Sequence, residues 1–376
     1  MREYLTVFLV AATVTYLLGV VAREIALRTG AVAKVRDRDV HAVPIPYFGG
    51  VAMLGGLTAA YLVAARLPFL SLETHRSVFR DAAVVLVAGA MICLLGVLDD
   101  LIELDALTKL GGQLLVAGFL VAFDIYFYSF RLPGGGQLSN DPAQMQLLSD
   151  RVVVATINAV NFVDGLDGLA AGVIGIGAVA FFLFSYTLAD ANDETLAITA
   201  ALLCAALGGA CAGFLPHNFF PARLFMGDSG SMLIGLVLAG SALSLSGQFA
   251  TVDMTQGVGD SEASLLLTLL PIALPIAILI VPFADLVLAV IRRTRAGRSP
   301  FAPDKQHLHH RLLEIGHSHR RAVLIMWLWA GLIAFGGVLA SLYAGPFTSY
   351  LLVVWVLVTV ALTFVVPRVQ KPTSHL

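Results

Sequence analysis

"TLAITAALLCAALGGACAGF", residues 195–214, is a run of twenty residues without one charged side chain. About 20 such residues, rising ~1.5 Å each in a helix, cover the hydrocarbon core of a bilayer. Backbone amides and carbonyls find no water there, so the run pairs them internally as a helix. The same pattern recurs along the chain. Eleven candidate spans are read, at 3–22, 47–66, 82–98, 107–128, 149–160, 166–188, 195–214, 230–247, 264–291, 322–343 and 348–367. The fifth is short. The ninth is long and holds Pro271, Pro275 and Pro282, so it is predicted to be kinked or broken. The first lacks a small-residue cleavage site after it and reads as a retained helix.

Composition agrees. Of 376 residues, 58% are hydrophobic and 13% charged, with a mean hydropathy of +0.87. Ordinary soluble domains carry about 25% charged residues. The fold class is therefore an all-α polytopic membrane protein, residues 1–376 forming one helical domain. No polar stretch is long enough for a soluble domain. The segment "RLPGGGQLSND" (131–141) reads as a turn or hairpin. Cys93, Cys204 and Cys211 lie within spans, without metal-ligand spacing, and read as small packing residues.

The net charge of −2 says little, but its distribution orients the chain. With the N-terminus outside, seventeen Lys and Arg fall in inner loops and tail and six outside. That is the positive-inside asymmetry. The loops 23–46, 99–108, 161–168, 215–229 and 292–321 then share the cytoplasmic face. Most of the unusual polar residues fall there too, although Lys and Arg alone set the orientation. Eight of nine histidines lie on that side, and only Asp285, among the acids singled out, is deep in a span.

Each polar cluster has its own reading. Asp99 and Asp100 in "VLDDL" are neighbouring carboxylates at a span end. Alone they read equally as a solvated helix terminus. Lys109, at the next span's start, can supply a countercharge. In "NAVNFVDGLDGLAAG" (158–172), Asn158, Asn161, Asp164 and Asp167 recur every three residues, which on a helix predicts one shared, slowly drifting face. Gly165 and Gly168 leave room for close approach of a ligand or another backbone. A polar interhelical seam is the plainer alternative, but polar groups at membrane depth mark function by default. "FMGDSGS" (225–231) reads as a loop entering a helix N-terminus, with Ser229 as cap and exposed amides suited to phosphate. Asp228 there suits a cation shared with phosphate oxygens. In "PDKQHLHHRLLE", His307, His309, His310 and Arg311 form a cationic cluster able to hold a pyrophosphate. Positive-inside contacts to lipid head groups would explain its arginines but not its histidines. There is no Walker A sequence and no HExxH. Several carboxylates, amides, a lysine and histidines at a membrane face imply Mg²⁺, with Mn²⁺ as substitute, and phosphoryl transfer to a lipid. Nucleic acid is not an expected partner.

These segments, in this order, resemble the polyprenyl-phosphate N-acetylhexosamine-1-phosphate transferase family, glycosyltransferase family 4, across roughly residues 35 to 315. "SPFAPDKQHLHHRLL" and His41 in "HAVPIPYFGG" resemble its WecA/TagO-like branch more than the related MraY enzymes, where three histidines precede Phe-Glu. The resemblance implies transfer of N-acetylglucosamine-1-phosphate from UDP-GlcNAc to undecaprenyl phosphate at a bacterial plasma membrane, releasing UMP and starting a cell-envelope polysaccharide. It implies that Asp228 and Asn161 hold Mg²⁺ and that Lys109 meets the phosphates. Asp99 and Asp100 would lie near the reacting groups, and Asp99 would orient or deprotonate the lipid phosphate. Phe225 would stack on uracil and Asp167 hydrogen-bond it, with Asp164 supporting. Asn158 and His41 would complete the substrate site, and His307, His309, His310 and Arg311 would hold the sugar and pyrophosphate. A homodimer is a further implication. The alternatives are MraY-type transfer of phospho-MurNAc-pentapeptide and, in other classes, a proton-coupled transporter or lipid flippase, or an aspartyl intramembrane protease. The latter two classes predict acids at mid-membrane depth, where only Asp285 lies.

Overall fold

The computed structural model describes residues 1–32, 44–72, 76–127, 141–192, 195–246, 294–295, 317–343 and 345–364. These residues form ten helices: α1 (Arg2–Thr29), α2 (Gly49–Ala64), α3 (Arg76–Ile102), α4 (Ala106–Ala122), α5 (Pro142–Val163), α6 (Leu169–Asn192), α7 (Thr195–Asn218), α8 (Gly227–Ser246), α9 (His319–Leu342) and α10 (Pro346–Phe364). Seven of them are long and apolar enough to cross a membrane, and α2 and α4 are shorter apolar helices. The chain is a multi-pass helical membrane protein. Among the described residues the only strand-like pairing is an isolated bridge between Val32 and Pro46. The expected ninth span at 264–291 with Asp285, residues 131–140 of the expected turn 131–141, and residues 292–293 and 296–316 of the expected loop 292–321 lie outside the described residues.

The start of α5 differs from expectation by seven residues. Hydropathy places its start near residue 149, but the helix begins at Pro142. Asp141 caps it there, its carboxylate accepting from the Ala143 amide at 3.0 Å. An Asp–Pro pair is a start signal that a hydropathy window passes over, because the first turns are polar.

The bundle is built around α8, which is almost wholly buried and packs against α2, α3, α5, α6 and α7. α1 lies against α2 and α7, α9 against α6, and α10 against α9, leaving most of α10 exposed. Without a hydrophobic drive between helices in lipid, close approach depends on small residues. A Cβ added at Gly96 of α3 would lie 2.4 Å from the Ser229 backbone, and one at Gly50 of α2 would lie 2.3 Å from the Gly230 amide nitrogen. Both neighbours are backbone, so neither can yield by a rotamer change.

Successive helices from α1 to α8 run in alternating directions, so their ends collect at two poles. At one pole, the Met1 ammonium meets the Tyr186 hydroxyl at 3.4 Å, and the Glu3 carboxylate accepts from the Phe69 and Leu70 amides, both at 2.9 Å. The Phe127 amide also donates to Ser149 Oγ there, at 2.9 Å. At the other pole, the chain ahead of α2 is knitted to the chain ahead of α8. The Phe225 amide donates to Pro46 carbonyl oxygen at 2.8 Å, and the Gly49 and Gly50 amides donate to the Phe225 and Met226 carbonyls at 3.0 and 3.1 Å. Asp99, Asp100, Lys109, Asn161, Asp164, Asp167 and Asp228 all belong to this second pole.

Gly50→Ala or Gly96→Ala should cost about 1–3 kcal/mol of stability through overpacking. Gly118→Ala, whose Cβ meets nothing within 4 Å, should change it by less than about 1 kcal/mol. Thermal unfolding of the detergent-solubilised variants measures both.

Candidate active site

The site begins with the first turn of α8. Gly227 sits at φ 69°, in the left-handed region, and a Cβ on it would fall 2.4 Å from Asp100 Oδ2. That carboxylate is close because it caps the helix. Asp100 Oδ1 accepts from the Asp228 amide at 2.8 Å and Oδ2 from the Ser229 amide at 3.2 Å. The sequence predicts these amides to be open to phosphate, with Ser229 as cap. The structure corrects it: a carboxylate from α3 occupies them, and Ser229 Oγ donates to the Met226 carbonyl at 3.3 Å. An unpaired helix end is costly in an apolar interior, and a fixed carboxylate satisfies both its amides and its partial positive charge.

With its amide held, Asp228 projects toward α4 and α5. Its Oδ1 accepts from Asn161 Nδ2 at 2.9 Å, and Asn161 Nδ2 also donates to Ser231 Oγ at 2.9 Å. Its Oδ2 is paired with the Lys109 ammonium, which also bonds Asp99 Oδ2 at 2.8 Å. The other oxygen of Asp99 accepts from the Leu104 amide at 2.8 Å and so fixes the short link between α3 and α4. The side chains of Asp99, Lys109 and Asp228 keep 13%, 20% and 28% of their exposure, so the group is recessed yet reachable by a ligand.

The predicted face of Asn158, Asn161, Asp164 and Asp167 divides in two. Asn158 and Asn161 lie on α5, but the helix stops at Val163, with Asp164 as its C-cap at φ −74°, ψ 45°. Asp167 follows in the turn, and Gly168 sits at φ 77°. Two glycines in four residues weaken the helix enough for the chain to turn there. Asp167 is buried, its Oδ2 accepting from the Ala222 amide at 2.9 Å. Asn218 ties the same loops together, accepting from the Gly168 amide at 3.0 Å and donating to the Leu224 carbonyl at 3.1 Å. Phe225 is half-buried beside Tyr47, with ring centroids 6.3 Å apart. Asn158 faces Gln113 rather than the Asp228 group. His41, His307, His309, His310 and Arg311 lie outside the described residues.

Three residues of this pole escaped the sequence reading. Ser231 ends "FMGDSGS", where its residue type alone assigns it no role. Gln113 was visible as the one amide in the apolar run after Lys109, one turn away. Asn218 gave no signal beyond being polar near a span end.

The model of glycosyl transferase family 4 matches residues 82–246, the stretch from α3 to α8 that carries every described member of the site. Along its whole length the chain is 44% identical to decaprenyl-phosphate N-acetylglucosaminephosphotransferase of Mycobacterium tuberculosis, covering 91% of that protein. It is 31% identical to a probable undecaprenyl-phosphate N-acetylglucosaminyl 1-phosphate transferase of Bacillus subtilis, over 99% of this chain and 95% of that one. It is also 31% identical to a phospho-N-acetylmuramoyl-pentapeptide-transferase of Desulforudis audaxviator, over 85% of this chain and 92% of that one. The chain belongs to glycosyl transferase family 4.

In this family 4 protein the donor set suits a hard cation. Asp228 and Asp99 offer carboxylate oxygens, and the Asn161 side-chain carbonyl accepts no hydrogen bond among the described residues. Also among the described residues, no three His, Cys, Asp or Glu side chains form a ready-made metal cage. Mg²⁺ does not need one, since it is held by one or two carboxylates together with substrate phosphates and waters. Electrostatics point the same way. Burial, and then the carboxylates of Asp228, Asp100 and Asp167, push the Asp164 carboxyl up to about 8. Negative charge therefore outweighs positive charge around Asp164.

The shift carries a sign. Asp164 keeps its proton in the folded protein but loses it in the unfolded chain above its ordinary value of 3.8, so folding stability falls as pH rises between about 4 and 8. Asp164→Asn removes that penalty. In EDTA, the variant's Tm should gain on the wild type's as pH is raised from 5 to 8, and a gap that stays constant would refute the assignment.

Proposed function

We propose that the protein transfers N-acetylglucosamine-1-phosphate from UDP-GlcNAc to a polyprenyl phosphate at the cytoplasmic face of a bacterial plasma membrane. The products are polyprenyl-pyrophosphate-GlcNAc and UMP, and the lipid-linked sugar starts a cell-envelope polysaccharide. One observation carries the reading. Lys109 stands between Asp99 and Asp228, with Asn161 on Asp228, at one pole of a chain 44% identical throughout to a decaprenyl-phosphate N-acetylglucosaminephosphotransferase. The family resemblance implies undecaprenyl phosphate as acceptor. The 44% relative is named for decaprenyl phosphate and the Bacillus relative for undecaprenyl phosphate, so both lengths belong in the test.

The chemistry follows from the charges. An oxygen of the lipid phosphate attacks the donor's β-phosphorus, the bond to the bridging oxygen breaks, and UMP leaves with that oxygen. Two anions must meet, so the site has to lower their repulsion and align attacking and leaving oxygens. Asp228, Asn161 and Asp99 would hold Mg²⁺, which when bound neutralises developing charge on the pyrophosphate. Lys109 is held between two carboxylates and can turn toward phosphate as the donor arrives. Asp99, the second carboxylate on that lysine, orients the lipid phosphate. Phe225 and the loop fixed by Asp167 and Asn218 form the side of the pole available to the nucleobase. The rival phospho-MurNAc-pentapeptide transfer uses the same pole, and the histidine segment that distinguishes the branches favours UDP-GlcNAc.

Purified protein with Mg²⁺ and decaprenyl or undecaprenyl phosphate should release UMP from UDP-GlcNAc in preference to UDP-GalNAc and UDP-MurNAc-pentapeptide. Turnover of the pentapeptide donor alone would reverse the branch assignment. Asp228→Asn should lower kcat by about 10²–10³, the scale for one lost transition-state contact. Undiminished turnover in excess EDTA would remove the metal from the scheme.

A further inference from the structure

Beneath the Lys109–Asp228–Asn161 group lies a second layer built from the same three helices. Gln113 is one turn beyond Lys109 on α4, Asn158 one turn before Asn161 on α5, and Met232 one turn beyond Asp228 on α8. Residues three or four apart on a helix share a face, so both layers look into the same three-helix junction. The two amides pair reciprocally. Asn158 Nδ2 donates to Gln113 Oε1 at 2.6 Å, and Gln113 Nε2 donates to Asn158 Oδ1 at 3.4 Å. Gln113 Nε2 also lies 3.5 Å from Met232 Sδ, and Asn158 Nδ2 reaches back to the Val154 carbonyl at 2.8 Å.

Gln113 is only 1% exposed, so it touches no substrate in this geometry. Its amide needs partners where water and lipid offer none, and Asn158 on α5 supplies the principal ones. Turning α4 about its axis, or sliding it along α5, would break this pair. The same motion would carry Lys109 away from Asp228, because Lys109 and Gln113 move as one rigid turn. No other described side-chain hydrogen bond joins α4 to α5. The charged layer cannot supply this register itself, because a lysine has a flexible stem and remains within reach of a carboxylate over a range of helix positions.

We infer that Gln113 and Asn158 are positioning residues, an amide clamp that sets the register of α4 and α5 and thereby holds Lys109 and Asn161 against Asp228. The inference deepens the proposed transfer reaction and rests on it. It reassigns Asn158 from substrate contact to alignment, and it gives Gln113 a role.

The test uses the full-length protein with Gln113→Met, which keeps the volume and removes the amide, Asn158→Leu, and the exchange variant carrying Gln113→Asn with Asn158→Gln. Each is compared with wild type for Tm, for kcat and KM with UDP-GlcNAc, and for acylation of Lys109 by an amine-reactive reagent read by mass spectrometry. The single variants should lose about tenfold or more in kcat while KM changes less than about threefold, because the clamp lies behind the reacting groups and away from the nucleobase side. Lys109 should be acylated several-fold faster, and the exchange variant should recover both properties. Single variants with kcat and Lys109 acylation within twofold of wild type would overturn the inference. So would activity that falls only in step with Tm and is not recovered by the exchange. The acylation readout needs no substrate, so it decides the clamp even if wild type releases no UMP from any donor, a result that would instead sink the transfer reaction.

Discussion

The first amides of α8 are bound by a carboxylate from another helix, and the rest of this pole follows from that contact. A helix that starts inside an apolar bundle must have its leading N–H groups satisfied. Asp100 does this from α3, with one oxygen on each of two amides. The bond requires the two backbones to come nearly into contact, which is why Gly96 and Gly227 stand where they do and why Gly50 lies against the same turn from α2. Once α8 is held at its start, Asp228 has one direction in which to point. Lys109 and Asn161 complete it from α4 and α5.

The arrangement leaves a charge imbalance. Asp99 and Asp228 share the one lysine, and burial together with the carboxylates of Asp228, Asp100 and Asp167 pushes the Asp164 carboxyl up. Asp100 discharges its own burden against helix amides. What remains is a recess lined by carboxylate and amide oxygens around one lysine, the feature on which the proposed transfer reaction rests. Asp167 and Asn218 act elsewhere. They tie the turn after α5 to the loop before α8, and that loop is also bonded to the residues ahead of α2. The two sides of the pole are therefore fixed independently, one by charge and one by loop-to-loop hydrogen bonds.

Much of the fold was legible in hydropathy alone. Nine of the eleven spans read that way fall on described helices, with ends displaced by up to seven residues, because hydrocarbon length sets a lower bound on an apolar run. The fifth matches with its start displaced, since Asp141 and Pro142 signal by capping rather than by hydropathy. The ninth lies outside the described residues. For the site, residue types at span ends sufficed to assemble Asp99, Asp100, Lys109, Asn161 and Asp228. Reading Asn158 to Asp167 as one helical face failed after Val163, because spacing cannot register that a helix has ended. Reading the α8 amides as a phosphate site failed for another reason. Nothing local to "FMGDSGS" reveals that a carboxylate about 128 positions earlier in the chain already fills them.

The sequence by itself determined that this chain is a helical membrane protein with its acids and amides gathered at the span ends, because burying charge in lipid is too costly for many other placements to survive. It also determined the chemical class of those groups, oxygen ligands and cations fit for phosphate. Only the tertiary structure decided which acid is structural and which is presented to a ligand. That division depends on which backbone each carboxylate reaches, and reach is set by packing between helices far apart in the chain. The Gln113–Asn158 pair belongs to the same category, since an amide in an apolar run becomes an alignment device only when a second amide is brought opposite it.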